Sequence, residues 1–218
     1  MGLISLRPDK LSDICSLRRL DTEGTSTMRL SKFSYYIDFF ISGALVAALA
    51  GTSLTADRWM QDTVWALYVI AGALCWSLLE YVVHRWLYHR APYFRDLHHA
   101  HHAEPNAFIG APPIVGILLI LAIFFAPFVT TSMVAASGLT TGILIGYMSY
   151  MLVHHAAHYW KLSPVSWPSS WLWHARRHHA LHHHHAIECN YGITTSLWDH
   201  VFGTAYSGRS RAFAPQLP

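Results

Sequence analysis

The chain has 218 residues, 53% of them apolar and only 12% charged, where a soluble domain carries about 25% charged residues. That balance argues against a purely aqueous domain and for membrane-buried segments. The net charge of +3 does not indicate nucleic acid as a partner. Cys15, Cys75 and Cys189 are too scattered for a disulfide framework or a zinc ribbon. The anomaly is the 17 histidines.

Residues 1–32 are polar and basic, lack the apolar core of a secretory signal, and read as a cytosolic tail. Four apolar stretches follow, at 34–54, 63–83, 112–133 and 136–153. About 20 apolar residues cross a bilayer as a helix, so the first three fit a span and the fourth is at the short end. Fourteen of the fifteen Lys and Arg residues fall in 1–32, 84–111 and 154–218, and only Arg58 falls in the 55–62 connection. By the positive-inside rule both termini and the 84–111 connection then face the cytoplasm. The expected fold is an all-α integral membrane protein: four transmembrane helices in two hairpins, with a cytosolic, histidine-rich helical cap. The expected organisation is a tail at 1–32, a membrane domain at 33–206 and a C-terminal tail at 207–218.

All histidines lie between His84 and His200, at or beyond the cytosolic ends of the second and fourth spans, and ten of them fall into four boxes. His84 and His89 form an H-x4-H pair; on an α-helix residues five apart point about 140° away from each other, so the pair reaches two metals or straddles one if the helix unwinds. His98, His101 and His102 form an H-x2-HH box, whose positions share one helical face and can converge on one small volume. His154 and His158 make an H-x3-H pair, and His179, His182 and His183 a second H-x2-HH box. His99, His155, His174, His178, His184, His185 and His200 fit no box and are expected to be solvated or hydrogen-bonding neighbours.

Ten nitrogen ligands suit two five-coordinate ions, whereas structural zinc usually closes its shell with four ligands. Imidazole accepts Zn, Cu, Fe and Ni alike, so zinc can occupy the same ligand set. Iron is favoured because a redox-active pair beside lipid can activate O2 against an unactivated C–H bond, which side chains alone cannot do. Carboxylates are expected behind the imidazoles to orient and polarise them. Glu80, one turn before His84, and Asp199, in a Trp-Asp-His motif, are the candidates.

With these boxes in order, the stretch from Glu80 to Tyr206 resembles the fatty acid hydroxylase and sterol desaturase superfamily of membrane di-iron enzymes. The H-x3-H box is of the kind found in fatty acid 2-hydroxylases, and the stretch from Asn190 to Thr204 is similar to the family's closing signature. The resemblance implies metal ligation by the ten boxed histidines, a diferrous centre, O2 as co-substrate, two external electrons and a fatty acyl chain as substrate. Two departures stand out. Tyr150-Met151 and His155 replace a Tyr-Asp pair and a Tyr around the third box, and 32 polar residues cannot form the cytochrome b5 domain fused to some members.

No Gly-x-Gly-x-x-Gly, C-x-x-C-H or cysteine grouping offers a redox cofactor site. Electrons are therefore expected from a separate ferredoxin or cytochrome b5-like carrier with its reductase, steered by Arg85, Arg90, Arg95, Arg176 and Arg177. The competing readings are a sterol or carotenoid oxidase of the same superfamily and, from another class, a metal-handling membrane protein. A transport path needs polar groups near the bilayer midplane, and the middles of the third and fourth stretches lack ionisable residues.

Overall fold

The computed structural model describes residues 29–52, 59–160, 171–184 and 188–207. Most of the two expected tails, Arg58 and His185 lie outside the described residues. Within them every regular element is helical, apart from one isolated antiparallel bridge between Arg29 and Ile109.

Helix α1 (Lys32–Gly51) starts where the Ser31 hydroxyl accepts the Ser34 N–H, at 3.0 Å. Helix α2 (Trp59–Val82) runs on through a π-helical turn, Val83–Tyr88. Helix α3 (Pro92–Ala103) opens on a proline, whose missing N–H costs nothing in a first turn. Helix α4 (Pro113–Val129) is interrupted by a π-helical turn at Leu121–Phe125. Helix α5 (Met133–Tyr159) is capped by Ser132; α6 (Trp171–His184) and the short α7 (Leu197–Val201) complete the chain.

Among the described residues three helical stretches are long and apolar enough to cross a membrane: Lys32–Gly51, Met60–Tyr88 and Met133–Tyr159. The expected third span is the shorter Pro113–Val129, which at 1.5 Å per residue reaches only about 26 Å and is broken by its π turn. The expected fourth span is instead the longest of the three after α2 with its turn, because its helix continues through the histidine pair to Tyr159.

Helix α5 is the axis of the bundle. It packs most extensively on α2 and also on α1 and α4, so it lies where a simple pair of hairpins would have placed α1 against α2. Small residues set the α2–α5 approach. A Cβ at Gly142 would strike the Val69 carbonyl and come within 2.9 Å of the Gly72 Cα, so the two backbones touch where only glycine fits. Leu49, Ile120, Ile143 and Leu144 fill the core between these helices. On α2 Leu67, Ile70 and Leu74 point outward, 56–64% exposed, as the lipid-facing side of a membrane helix requires. A second small core of Val153, Ala175 and Ile193 ties α6 and the 188–207 segment to the end of α5. Helices α3, α6 and α7 thereby gather at one end of the bundle.

Candidate metal centre

All four boxes meet at that end, and a change of helical pitch brings the two rings of the first onto one side. Across Val83–Tyr88 the backbone bonds i to i+5, which brings residues five apart onto one face. His84 and His89 therefore point the same way, ring centroids 5.1 Å apart, and do not diverge as an α-helix would make them.

The boxed histidines form two groups. One contains His84, His89, His98 and His182; the other contains His101, His154, His158, His179 and His183. Within each group, one nitrogen of every residue lies within 4.8 Å of the others. His102 borders both, its Nε2 3.0 Å from His98 Nε2 and its ring stacked on His183 at 4.0 Å. Each H-x2-HH box is thus divided rather than converging on one volume. His182 and His183, adjacent and about 100° apart around the helix, part company, and so do His98 and His101, only about 60° apart, because the groups that receive them lie on different neighbouring helices.

The nitrogens crowd together within each group and could hold a cation. His84 Nδ1–H donates to the Tyr191 carbonyl and His182 Nδ1–H to the Cys189 carbonyl, both at 2.6 Å. Each then turns an Nε2 lone pair into the cluster. His98 Nε2 faces His84 Nε2 and His102 Nε2, both at 3.0 Å, and one hydrogen cannot serve two acceptors. In the other group His154 Nε2 faces His101 Nε2, and His158 Nε2 faces His179 Nε2, each at 3.1 Å. The ring nitrogens His102 Nδ1, His179 Nδ1 and both of His183 are buried without a partner. The facing Nε2 pairs, rather than these outer nitrogens, are the ones whose lone pairs a metal could collect.

Burial and crowding favour the neutral form of the rings. Burial, followed by repulsion from neighbouring imidazoles, lowers His101 and His102 to about 3 and His89 to about 4. Burial brings His182 to about 4 against the opposing bond to the Cys189 carbonyl, and drives His98 and His183 further down.

Neither expected carboxylate touches a boxed ring. Glu80, buried, accepts the N–H groups of Ile193 and Thr194 at 2.6 and 2.8 Å and the Thr194 hydroxyl at 2.8 Å. Asp199, fully buried, accepts the N–H groups of Tyr191 and Gly192, both at 2.8 Å, the Thr204 hydroxyl at 2.7 Å, and His178 Nε2 at 2.9 Å. Burial alone would raise the Asp199 carboxyl; the bonds from His178, Thr204 and Gly192 outweigh it and hold the group below its usual range. Both carboxylates therefore clamp the same segment, 190–194, whose Tyr191 carbonyl orients His84.

The segment's other anchor is Asn190. Its φ of 55° is left-handed, a conformation Asn tolerates better than most residues. Its side chain donates to the His178 carbonyl and accepts the Tyr206 N–H. Sequence reasoning missed the two orienting carbonyls, because a backbone acceptor leaves no residue signature; the Asn-Tyr-Gly run was the available hint. Of the unboxed histidines, His155 sits 3.3 Å from the Tyr35 hydroxyl, His178 on Asp199, and His200 Nδ1 on the Ser196 carbonyl. Trp171 donates its indole N–H to the Thr194 carbonyl.

A cavity of about 70 Å³ opens beside both groups. It is bounded by His84 and His98 of one, His101 and His154 of the other, and by apolar walls that include Phe94 and Ile109.

The sequence profile described as fatty acid hydroxylase matches residues 69–204, which contain all four boxes and both carboxylates. The chain belongs to the fatty acid hydroxylase family. It is 30% identical over 161 residues to a dihydroceramide fatty acyl 2-hydroxylase of Arabidopsis thaliana, covering 70% of this chain and 66% of that protein. It is 31% identical over 158 residues to the fatty acid 2-hydroxylase of Mus musculus, covering 66% of this chain and 41% of that protein. The chain thus spans just under two thirds of the plant relative and about two fifths of the mouse one. The solved structure of full-length scs7p, in which only the hydroxylase domain is visible, shares the fold with a TM-score of 0.64 at 23% identity, over 79% of this chain and 67% of that one.

Proposed function

We propose that this protein hydroxylates a fatty acyl chain of a membrane lipid at the carbon next to the acyl carbonyl, using O2 at a pair of histidine-ligated iron ions. The observation that carries the reading is the pair of largely buried imidazole groups, side by side and both opening on one apolar-walled cavity. The position attacked rests on the Arabidopsis and mouse relatives, which are named as 2-hydroxylases. A cavity this narrow suits a single methylene chain better than the fused rings of a sterol.

In this reading His84, His89, His98 and His182, with His102 at the border, hold one ion, and His101, His154, His158, His179 and His183 hold the other. Iron bound there supplies the O2 activation and C–H cleavage that side chains lack; zinc in the same ligands would leave the protein inactive. The chain's own residues do the rest. The Tyr191 and Cys189 carbonyls keep two rings turned inward, and Glu80 and Asp199 fix the segment that carries the first of those carbonyls. Phe94 and Ile109 exclude water from the cavity and give the acyl chain an apolar wall.

The catalytic unit is the membrane domain 33–206, with the metal centre and both termini in the cytoplasm by the positive-inside rule. Two electrons come from a separate ferredoxin or cytochrome b5-like carrier and its reductase. Arg90 and Arg177 are exposed on the cap side and are the arginines best placed to steer an acidic carrier, whereas Arg95 is already paired with Asp96.

The test is lipid mass spectrometry on cells with and without the protein. Acyl chains carrying one added oxygen, located at C2 by fragmentation, are expected only when the protein is present. Unchanged lipids from cells whose protein is metal-loaded and supplied with a reductase would overturn the reading.

A further inference from the structure

Tyr147, Tyr150 and His154 are spaced i, i+3 and i+7 on α5, which places them along one face. Their rings form a stack. Tyr150 lies nearly parallel to His154, at 5.7 Å and 9°, and Tyr147 nearly parallel to Tyr150, at 6.3 Å and 19°. Trp76 of α2 sits edge-on to Tyr147 at 5.3 Å. At the far end the Tyr147 hydroxyl donates to Asp38 Oδ2 at 2.5 Å, while the Ser42 hydroxyl donates to Oδ1 at 3.3 Å.

Asp38 is only 4% exposed, inside a helix apolar enough to span the membrane. A carboxyl group in that setting is costly and calls for a task. Joining α1 to α5 is one such task, but a hydroxyl or amide would do it without a buried acid. What the carboxylate adds is a base in direct contact with a phenol, at the end of a ring stack that begins on a histidine of the five-histidine group.

We propose that Tyr150 and Tyr147 form a one-electron relay that drains an oxidising equivalent from the metal pair when no lipid is bound. The inference rests on the O2-dependent reading above, and the oxidant is the O2-oxidised metal pair. One electron passes from the Tyr147 ring through Tyr150 to that pair, the Tyr147 O–H bond breaks, and its proton moves to Asp38 Oδ2. The metal pair is reduced by one electron and Tyr147 is left as a neutral phenoxyl radical. An electron from the external donor and the proton on Asp38 then restore the phenol. Tyr88 also stacks on a boxed ring, His98, at 5.5 Å. Tyr147 differs in having a carboxylate ready to take its proton.

The experiment uses the full chain in detergent or nanodiscs, loaded anaerobically with ferrous iron. It is mixed with O2 without lipid substrate and freeze-quenched for EPR, with metal oxidation followed on the same samples by Mössbauer spectroscopy. An organic radical is expected, and its hyperfine pattern should collapse when the protein is grown on ring-deuterated tyrosine. Tyr147→Phe and Asp38→Asn should each lose most of that signal while keeping their iron. Over repeated cycles they should also gain more added oxygen on box-histidine peptides, read by mass spectrometry. Metal oxidation without a tyrosine radical overturns the relay and leaves the function standing, as does a radical that persists in Tyr147→Phe and Tyr150→Phe alike. Ferrous iron that fails to react with O2 overturns both.

Discussion

The two histidine groups are neighbours, yet they are held by different means. The four-histidine group depends on a loop: His84 and His182 are turned inward by the carbonyls of Tyr191 and Cys189, and 190–194 is clamped by Glu80 and Asp199. The five-histidine group rests on helices alone. His154 and His158 come from α5, His179 and His183 from α6 and His101 from α3, and the outer nitrogens of His179 and His183 have no acceptor. Geometry imposed by rigid helices needs few outer contacts, whereas a group that borrows a π turn and two helices must be locked by something else. The lesson is that the two candidate sites should fail separately.

The largest expected effect follows from removing a ring. His182→Ala and His183→Ala should each abolish hydroxylation, and each should lower metal content by about one ion per chain, since each ring belongs to one group only. Loss of both ions from either variant, read by elemental analysis, would mean that the groups are one site.

Glu80→Gln and Asp199→Asn come next. Each leaves shape but weakens the clamp on 190–194, so affinity at the four-histidine group should fall about 10–100-fold, the range seen when outer partners of metal ligands are removed. The other group should hold its metal, and chelator competition would separate the two. Equal release from both would erase the distinction drawn above.

Acid should act more mildly. His89 and His182 titrate at about 4 and His101 and His102 at about 3 in the folded chain, against 6.5 when unfolded. Between those values the unfolded chain binds more protons, so stability of the metal-free protein must fall as pH drops from 6.5 towards 4. Its melting temperature should decline across that window, and bound metal should push the decline to lower pH. A flat profile would contradict the buried, unprotonated rings.

The smallest effect is expected at Tyr35→Phe. The hydroxyl's contact with His155 is a single part-buried hydrogen bond, worth about 0.5–1.5 kcal/mol, and His155 belongs to neither group. Thermal stability should slip slightly while metal content and activity hold.

How much of this was legible in the chain depends on which physics carried it. Helical spacing and box register identified the ten histidines that the fold brings together, because those patterns are local. The same spacing could not divide His98 from His101, since the partition depends on where α5 and α6 stand. Nor could it show that His84 and His89 share a face, because a π turn is written in tertiary packing rather than in Val83–Tyr88 itself. Glu80 and Asp199 were visible as carboxylates expected behind the imidazoles, but their partners are amides some 7 to 114 residues away in sequence. Hydropathy found the apolar stretches, yet not that 112–133 would yield a short, interrupted helix or that α5 would become the axis.

Metal stoichiometry tests the central claim most directly. Protein purified anaerobically and reconstituted with excess ferrous iron, then desalted, should carry about two irons per chain, one for each imidazole group. A reproducible value of one, unchanged by further iron, would contradict the account.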